Sequence, residues 1–439
     1  MRSRITSLLN HQAIRRYGSN TLWLLGEKVL RMTLGLFVGV WMARYLGPEK
    51  LGVLSYAQSY VVLFTAFATL GLDNIVIREL VKYSDKAGGL LGTSFILKLI
   101  ASCTVVIMIY LSLGFQNQTD EIENAVMILS FTIIIQSFNV VDFYFQSEVK
   151  SKFTVISNVV SLLISSIVKV YLIVHDYPLV YFLYVLLFDA LIISFFLILF
   201  YKGLAKGKVI YWKFDRRLAI YLLKESWPLI FSGFLITVYM KIDMVMINHL
   251  LGSYEVGIYS AAVKLSELWY FIPTVICSSI FPAILNAKKQ SKVLYYKRMK
   301  KLYFSMFWGS FFISLVMTFI GSYLIIFLYG TDYLESSSVL YIHIWASIFV
   351  FIGVSNSKYL LAEGLQRLTL VGTLIGGIVN VVLNFYLIPL YGVSGAAWST
   401  LISYMLSAYL YLLLIPSKWY IFIRITKAIF YRGTHEEIN

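Results

Sequence analysis

Arg44-Tyr-Leu-Gly-Pro-Glu-Lys-Leu-Gly-Val-Leu-Ser-Tyr-Ala57 recurs 205 residues later as His249-Leu-Leu-Gly-Ser-Tyr-Glu-Val-Gly-Ile-Tyr-Ser-Ala-Ala262. Each stretch lies between two long apolar runs, and five positions are identical at this offset: Leu46/Leu251, Gly47/Gly252, Gly52/Gly257, Ser55/Ser260 and Ala57/Ala262. The sequence therefore predicts a duplicated membrane protein in which both copies have the same turn between two membrane spans.

A second pair of similar stretches extends the repeat. Residues 144–154 and 359–369 share Tyr, Glu and Thr positions at an offset of 215, together with Lys152 aligned to Arg367. The second copy therefore gains about ten residues between the two pairs of stretches. Repeats that cover several membrane spans are typical of secondary transporters, whose substrate site lies where the two halves meet. The repeat thus predicts a transporter.

Composition sets the fold class. Hydrophobic residues fill 59% of the 439 positions and charged residues only 13%, which is atypical of a water-soluble domain. A helix needs about 20 apolar residues to cross the roughly 30 Å hydrocarbon core. Twelve runs reach this length: 20–43, 53–77, 89–113, 123–146, 154–175, 179–201, 222–249, 256–284, 302–329, 336–361, 369–390 and 394–415. We predict an all-α integral membrane protein with two six-helix lobes, related by a pseudo-two-fold axis along the membrane normal.

The basic residues, which give a formal net charge of +15, indicate the membrane topology. They concentrate at both termini and in alternate loops, at 78–86, 150–152, 202–217 and 288–301. The opposite loops carry Arg44 and Lys50 as their only basic residues. Because cytoplasmic loops are rich in lysine and arginine, both termini are predicted to be cytoplasmic. The charge is thereby explained without nucleic acid as a partner.

The basic stretches also suggest the domain boundaries. We predict an N-terminal lobe of residues 1–201, a cytoplasmic connector of 202–221, a C-terminal lobe of 222–415 and an interfacial cytoplasmic tail of 416–439. Residues 286–301 contain seven lysines and arginines, which either set the topology or bind anionic lipid headgroups. The sequence leaves both readings open.

Ionisable residues inside the apolar runs mark the candidate site, because each costs at least about 2.5 kcal/mol at the bilayer centre unless it meets water or a partner. The deep cations are Lys28, Arg31, Lys98, Lys241 and Lys264, and the deep anions are Glu27, Asp189, Asp243 and Glu267. The cationic excess favours an anionic substrate such as phosphate or pyrophosphate. The anions are candidate charge partners or ion-coupling residues.

Other polar and proline positions have simpler explanations. Asp73 and Asp142 lie near helix ends, where we expect them to cap a helix or to pair with Arg78 or Lys150. Pro273, near the middle of the eighth span, is either a static kink or a hinge. No metal-spaced histidine cluster and no glycine-rich phosphate loop occurs in the sequence. We therefore expect no enzyme and no cofactor, with coupling to Na+, H+ or the membrane potential left open.

Several motifs resemble those of one family. Leu22-Trp-Leu-Leu-Gly-Glu-Lys-Val-Leu-Arg31, followed by residues 43–57, resembles the start of polysaccharide transporters, the repeat-unit flippases of O-antigen, capsule and teichuronic-type polymers. Tyr144-Phe-Gln-Ser-Glu-Val-Lys150, Asp243 ahead of residues 251–262, and residues 380–398 are similar to later turns of these proteins. The resemblance covers nearly the whole chain.

This resemblance implies a fold and a function. The implied fold is the MATE-like fold of the multidrug/oligosaccharidyl-lipid/polysaccharide exporters, in which twelve helices form two lobes around a cavity. Family members move an undecaprenyl-diphosphate-linked oligosaccharide across the bacterial cytoplasmic membrane. Lys28, Arg31 and Lys98 match the residue type expected around the diphosphate. Membrane lipids, a polymerase and other polysaccharide-assembly proteins are the implied partners.

Two other functions remain open. The first is a cation-coupled exporter of drugs or other small molecules on the same fold, which Glu27, Asp189 and Asp243 would suit. The second is a scaffold protein that does not transport. At the 205-residue offset, Glu27, Lys28 and Arg31 align with the uncharged Ser232, Gly233 and Ile236. We therefore expect the substrate's phosphates to bind at the charged first span.

Overall fold

The computed structural model describes residues 2–116, 118–204 and 212–430, with side chains in 19–116, 118–203 and 212–430. These ranges are helical, with short turns and 3-10 segments between helices. In chain order the helices are α1 (Arg2–Thr69), α2 (Asp73–Lys82), α3 (Ala87–Leu113), α4 (Asp120–Ile135), α5 (Val140–Ser147), α6 (Lys152–Val174), α7 (Leu179–Leu204), α8 (Arg216–Leu250), α9 (Ser253–Glu267), α10 (Phe271–Gln290), α11 (Lys292–Tyr329), α12 (Ser336–His343), α13 (Ala346–Ala362), α14 (Arg367–Ala408) and α15 (Trp419–Phe430).

The described helices account for twelve membrane spans. Ten stretches are long and apolar enough to cross a bilayer, and two of them, 19–82 and 367–408, hold two spans each. A glycine with non-helical backbone divides each of these two, Gly47 in α1 and Gly392 in α14. The predicted all-α, twelve-span fold class is thus confirmed.

Glycine makes the repeated turn possible. Gly47 has φ 71° and Gly252 has φ 108°, backbone angles that side chains with a Cβ rarely adopt. A helical segment resumes at once after each, with Pro48 in its first turn in one copy and Ser253 in the other. Proline fits there because the N–H groups in the first turn of a helix have no intrahelical partner, so the N–H that proline lacks is not missed. The two sequence stretches at the 205-residue offset therefore encode the same break.

The chain packs as two compact units. One comprises Met1–Leu46 with Ala57–Phe234, and the other Gly47–Tyr56 with Leu235–Asn439. The first has a core of α2, α3, α5 and α7 residues, and the second a core of α10, α11, α13 and α15 residues. α8 begins at Arg216, inside the predicted connector, and its residues belong to both units. The predicted lobes of 1–201 and 222–415 follow other boundaries and stay predictions; residues 205–211 of the connector lie outside the described ranges.

α15 forms within the predicted interfacial tail. Ile421, Ile425 and Ile429 are buried in the cluster that α10, α11 and α13 build, so this apolar face contacts protein. Trp419 and Ile423 remain exposed on other sides of the helix. An interfacial helix would bury its apolar face in lipid, and an interfacial position for the tail stays a prediction. Residues 431–439 of the tail lie outside the described part.

Candidate functional site

The first span carries an exposed cationic patch, which we define as Lys28 and Arg31. The Nη2 of Arg31 lies 3.1 Å from Oε1 of Glu27, one helical turn earlier, and Asn158 of α6 donates to the same Oε1 over 2.9 Å. Arg31 nonetheless leaves 46% of its side chain exposed, against 13% for Glu27. Lys28 is exposed and has no ion pair within the described ranges.

An exposed guanidinium in the middle of a membrane helix needs water around it. Only Nη2 of Arg31 meets a carboxylate, and its other two nitrogens make no hydrogen bond to the described residues. They are therefore available to an anion, which a guanidinium binds through two parallel hydrogen bonds. The cationic patch is the strongest candidate for a phosphate-binding surface in this unit.

Lys98 lies in a different environment. Its side chain is only 4% exposed, with Nζ 3.8 Å from Oδ1 of Asp73 and 4.9 Å from the centre of the Phe143 ring. Lys98 and Asp73 line a cavity together with Asp142. The carboxylate of Asp142 accepts hydrogen bonds from Gln146, over 2.8 Å, and from Thr154. Lys98 makes no contact with the cationic patch within the described residues.

The expected partners of Asp73 and Asp142 were wrong. Arg78 contacts Glu79 at 2.9 Å and Glu225 at 3.3 Å. Lys150 contacts Glu148 at 3.4 Å. The two aspartates instead face the cavity that holds Lys98, because α2, α3 and α5 pack together there. Sequence proximity had favoured neighbours on the same helix or loop, whereas packing brought together residues from three helices.

The second unit contains a buried carboxylate with several hydrogen-bond donors. Asp243 of α8 is 6% exposed and accepts three hydrogen bonds: from Asn384 over 2.6 Å, from Thr400 over 2.6 Å and from Tyr259 over 2.9 Å. Asn384 also donates to Oδ1 of Asn380 over 3.2 Å. We call these five residues the Asp243 cluster.

The Asp243 cluster offers oxygen atoms from several side chains around a single carboxylate. Oδ1 of Asn384 is buried without a hydrogen-bond partner among the described residues. Hard monovalent cations prefer such oxygen ligands, and a proton would equally neutralise the buried charge. No group of three histidine, cysteine, aspartate or glutamate side chains that would suit a metal ion occurs in the described ranges. Asn384, Thr400 and Tyr259 were not predicted, since neutral polar residues in apolar runs give no charge signal.

The remaining predicted residues are dispersed over both units. Nζ of Lys241 lies 4.0 Å from Oε2 of Glu267, and Lys264 is exposed. In the first unit, Asp189 of α7 accepts a hydrogen bond from Ser161 of α6, both to its carboxylate and, over 2.9 Å, to its backbone carbonyl. The structure therefore holds the predicted charges in separate groups, and Asp189 lies between two packed helices.

Pro273 lies in the first turn of α10, next to a break. The eighth span divides into α9 and α10 around a single 3-10 turn, Leu268–Tyr270. Pro273 is the third residue of α10, directly after that turn. The span is thus interrupted close to the predicted kink, and a hinge role for Pro273 stays a prediction.

Comparison with known families agrees with this architecture. The family described as "Polysaccharide biosynthesis protein" matches residues 17–288, more than half of the chain. The chain belongs to this family. The MatE family also matches, over residues 228–386. The resemblance noted in the motifs is confirmed at the level of the family.

Relatives among curated proteins are distant. The chain is 25% identical to the capsular polysaccharide biosynthesis protein CapF of Staphylococcus aureus over 178 residues, 40% of this chain and 45% of CapF. It is 29% identical to the probable flippase AglR of Haloferax volcanii over 187 residues, 40% of this chain and 38% of AglR. The matched part of the chain thus spans less than half the length of either relative.

Solved structures share the fold over nearly the full length. The lipid II flippase MurJ, in its inward closed conformation, superposes with a TM-score of 0.75 at 17% identity, covering 92% of this chain and 90% of MurJ. An inward-facing MATE family multidrug resistance transporter gives a TM-score of 0.68 at 17% identity, with 90% and 95% coverage. At this identity the likeness shows the fold alone. This member of the polysaccharide biosynthesis family is a multi-pass membrane protein with a MATE-like fold.

Proposed function

We propose that the protein flips an undecaprenyl-diphosphate-linked oligosaccharide across the bacterial cytoplasmic membrane by alternating access, for surface polysaccharide biosynthesis. The observation that carries this proposal is the cationic patch. Arg31 is 46% exposed in mid-span and has two guanidinium nitrogens without partners among the described residues. A diphosphate is the part of such a lipid that needs charge-assisted hydrogen bonds inside the membrane. Family membership and the names of CapF, a capsular polysaccharide biosynthesis protein, and AglR, a probable flippase, support the same substrate class.

Coupling to an ion would use the Asp243 cluster. Its buried carboxylate and the free Oδ1 of Asn384 suit one monovalent cation or one proton. Binding there would neutralise a charge whose burial is otherwise costly, and that free energy is available to bias a conformational equilibrium. We further propose cytoplasmic termini, from the basic loops, and contact with a polymerase and other assembly proteins of the same membrane.

Gene deletion tests the main proposal. Without the protein, lipid-linked repeat units should accumulate in the cytoplasmic leaflet and the corresponding surface polymer should be lost. Leaflet position is measured by the access of a membrane-impermeant, sugar-modifying reagent to sealed vesicles of either orientation. A plasmid copy should restore both properties. Intact surface polymer with no accumulated intermediate in the deletion strain would overturn the proposal.

A cation-coupled exporter of small molecules is the second candidate. The match of residues 228–386 to the MatE family and the Asp243 cluster in the same segment favour it. Expression in a host that lacks its own efflux pumps separates the two functions. An exporter should raise resistance to cationic drugs, and Asp243→Asn should abolish that resistance. A flippase should leave susceptibility unchanged.

A further inference from the structure

A polar cavity lies inside the unit that contains Ala57–Phe234. Its volume is about 350 Å³, and small-molecule sites typically fall in the range of about 300–1,000 Å³. It lies where α2, α3, α5 and the 3-10 turn 136–139 meet. Ten of the fourteen residues that line it have polar side chains, whereas pockets for drug-like molecules are mostly apolar. The cavity therefore suits a hydrophilic ligand.

The charge of the cavity disfavours a phosphate. Lys98 is its only cation, and the two carboxylates of Asp73 and Asp142 line the same space. Nζ of Lys98 already lies 3.8 Å from Asp73. A diphosphate would have to approach two negative charges in order to reach one neutralised ammonium. The cavity thus differs in charge from the cationic patch at Lys28 and Arg31.

Three side-chain amides in the cavity are available to form hydrogen bonds with a ligand. The side chains of Asn74, Gln136 and Asn139 line it and make no hydrogen bond to any described residue. Each amide offers both donors and an acceptor, and the carboxylates of Asp73 and Asp142 add acceptors. Sugar hydroxyls donate and accept at the same atom, so this mixture matches a neutral polyhydroxylated ligand.

We propose that this cavity binds a sugar of the lipid-linked oligosaccharide, so that the diphosphate and the sugar are recognised at different places. This inference rests on the proposed flippase function. Asp73, at the start of α2, lines the cavity, and 53% of its side chain is exposed. α2 ends at Lys82, next to Lys86, in the basic segment that the positive-inside rule assigns to the cytoplasm. A sugar would thus enter from the cytoplasmic side, where repeat units are built.

Two probes separate the two sites. The first is the oligosaccharide released from the lipid-linked intermediate of the deletion strain, without its diphosphate, and the second is inorganic pyrophosphate. Binding of each is measured to the full chain in lipid nanodiscs. Gln136→Ala and Asn139→Ala should each weaken oligosaccharide binding roughly 5- to 30-fold, the loss of one or two hydrogen bonds, and leave pyrophosphate binding unchanged. Arg31→Ala should weaken pyrophosphate binding.

The controls fix how each outcome is interpreted. Gln290→Ala removes an exposed amide at the end of α10, outside the cavity, and should bind both probes as the wild type does. Unchanged pyrophosphate binding also shows that the cavity variants are folded.

Two results would contradict the sugar site but not the flippase function. In both, the wild type restores surface polymer; either it does not bind the oligosaccharide, or its binding is unchanged by the cavity substitutions. Weaker pyrophosphate binding in the cavity variants would equally overturn the sugar site. If deletion leaves the polymer intact, both proposals fall.

Discussion

Gly52 and Gly257 are equivalent positions of the repeat, and each is packed against the backbone of the other copy's turn. A Cβ placed on Gly52 would overlap the carbonyl oxygen of Ser253, and one on Gly257 would overlap that of Pro48. Pro48 and Ser253 are themselves 205 residues apart. Each copy's glycine therefore packs against the other copy's turn. This close packing explains why glycine occupies both positions in a repeat that has few other identical residues. All four residues belong to the same packed unit.

Alanine at either glycine should destabilise the protein. Because the atoms that a Cβ would meet are backbone atoms, they cannot rotate away, and overpacking of this kind costs about 1–3 kcal/mol or more. Thermal unfolding of the detergent-solubilised protein measures the loss for Gly52→Ala and Gly257→Ala. Gly35→Ala is the matched control in α1, since nothing lies within 4 Å of its added Cβ, and it should be neutral or slightly stabilising. Equal stability of all three variants would refute the close packing.

Replacement of Arg31 should distinguish the effect of its positive charge from that of its bidentate hydrogen bonding. Arg31→Ala should reduce transport of the lipid-linked oligosaccharide by about 10- to 100-fold, which corresponds to the loss of charge-assisted hydrogen bonds. Arg31→Lys should retain part of the activity, because an ammonium keeps the charge but offers no bidentate donor. Surface polymer in the complemented deletion strain is the readout, together with the amount of protein in the membrane. Arg216→Ala, at the exposed start of α8, is the control. Normal polymer with Arg31→Ala would exclude the cationic patch as the phosphate site.

Asp243→Asn should remove ion coupling. The substitution keeps the volume but eliminates the negative charge that a cation or proton would neutralise, and it disrupts the bonds from Thr400 and Tyr259. In proteoliposomes, wild-type transport should respond to an imposed Na+ or proton gradient, and the variant should be slow and insensitive to it. Glu335→Gln changes an exposed carboxylate outside the cluster and should keep the wild-type response. A variant that still follows the gradient would show that coupling occurs elsewhere.

The number of spans could be predicted from the sequence because apolar length is a local property of the chain. The turns at Gly47 and Gly252 could also be predicted, because both copies of the repeat contain the same short sequence there. Pairing of charges depends on the rotation of each helix about its axis and on packing with distant helices. Lys98 and Asp73 meet for that reason, and no sequence pattern signalled it.

The Asp243 cluster likewise could be predicted only in part from the sequence. The sequence identified Asp243 because a carboxylate in an apolar run is conspicuous, but Asn384 and Thr400 lie 141 and 157 residues further along the chain. Neutral amides and hydroxyls are tolerated in membrane helices, so their presence alone predicted nothing. Only the packing of α8 against α14 residues brings them to one carboxylate.

Asp189 was predicted for the same coupling role as Asp243, and its contacts favour a structural role instead. Ser161 donates to both its carboxylate and its backbone carbonyl, which joins α6 to α7. Asp189→Asn keeps an acceptor for Ser161, so we expect transport and its gradient dependence to match the wild type. Asp189→Ala should lower stability by about 0.5–1.5 kcal/mol, and Ser161→Ala should lower it by a similar amount. The double variant should cost less than the sum of the two single ones, because both remove the same hydrogen bond. If Asp189→Asn instead abolished the gradient response at unchanged stability, the coupling ion would bind at α7.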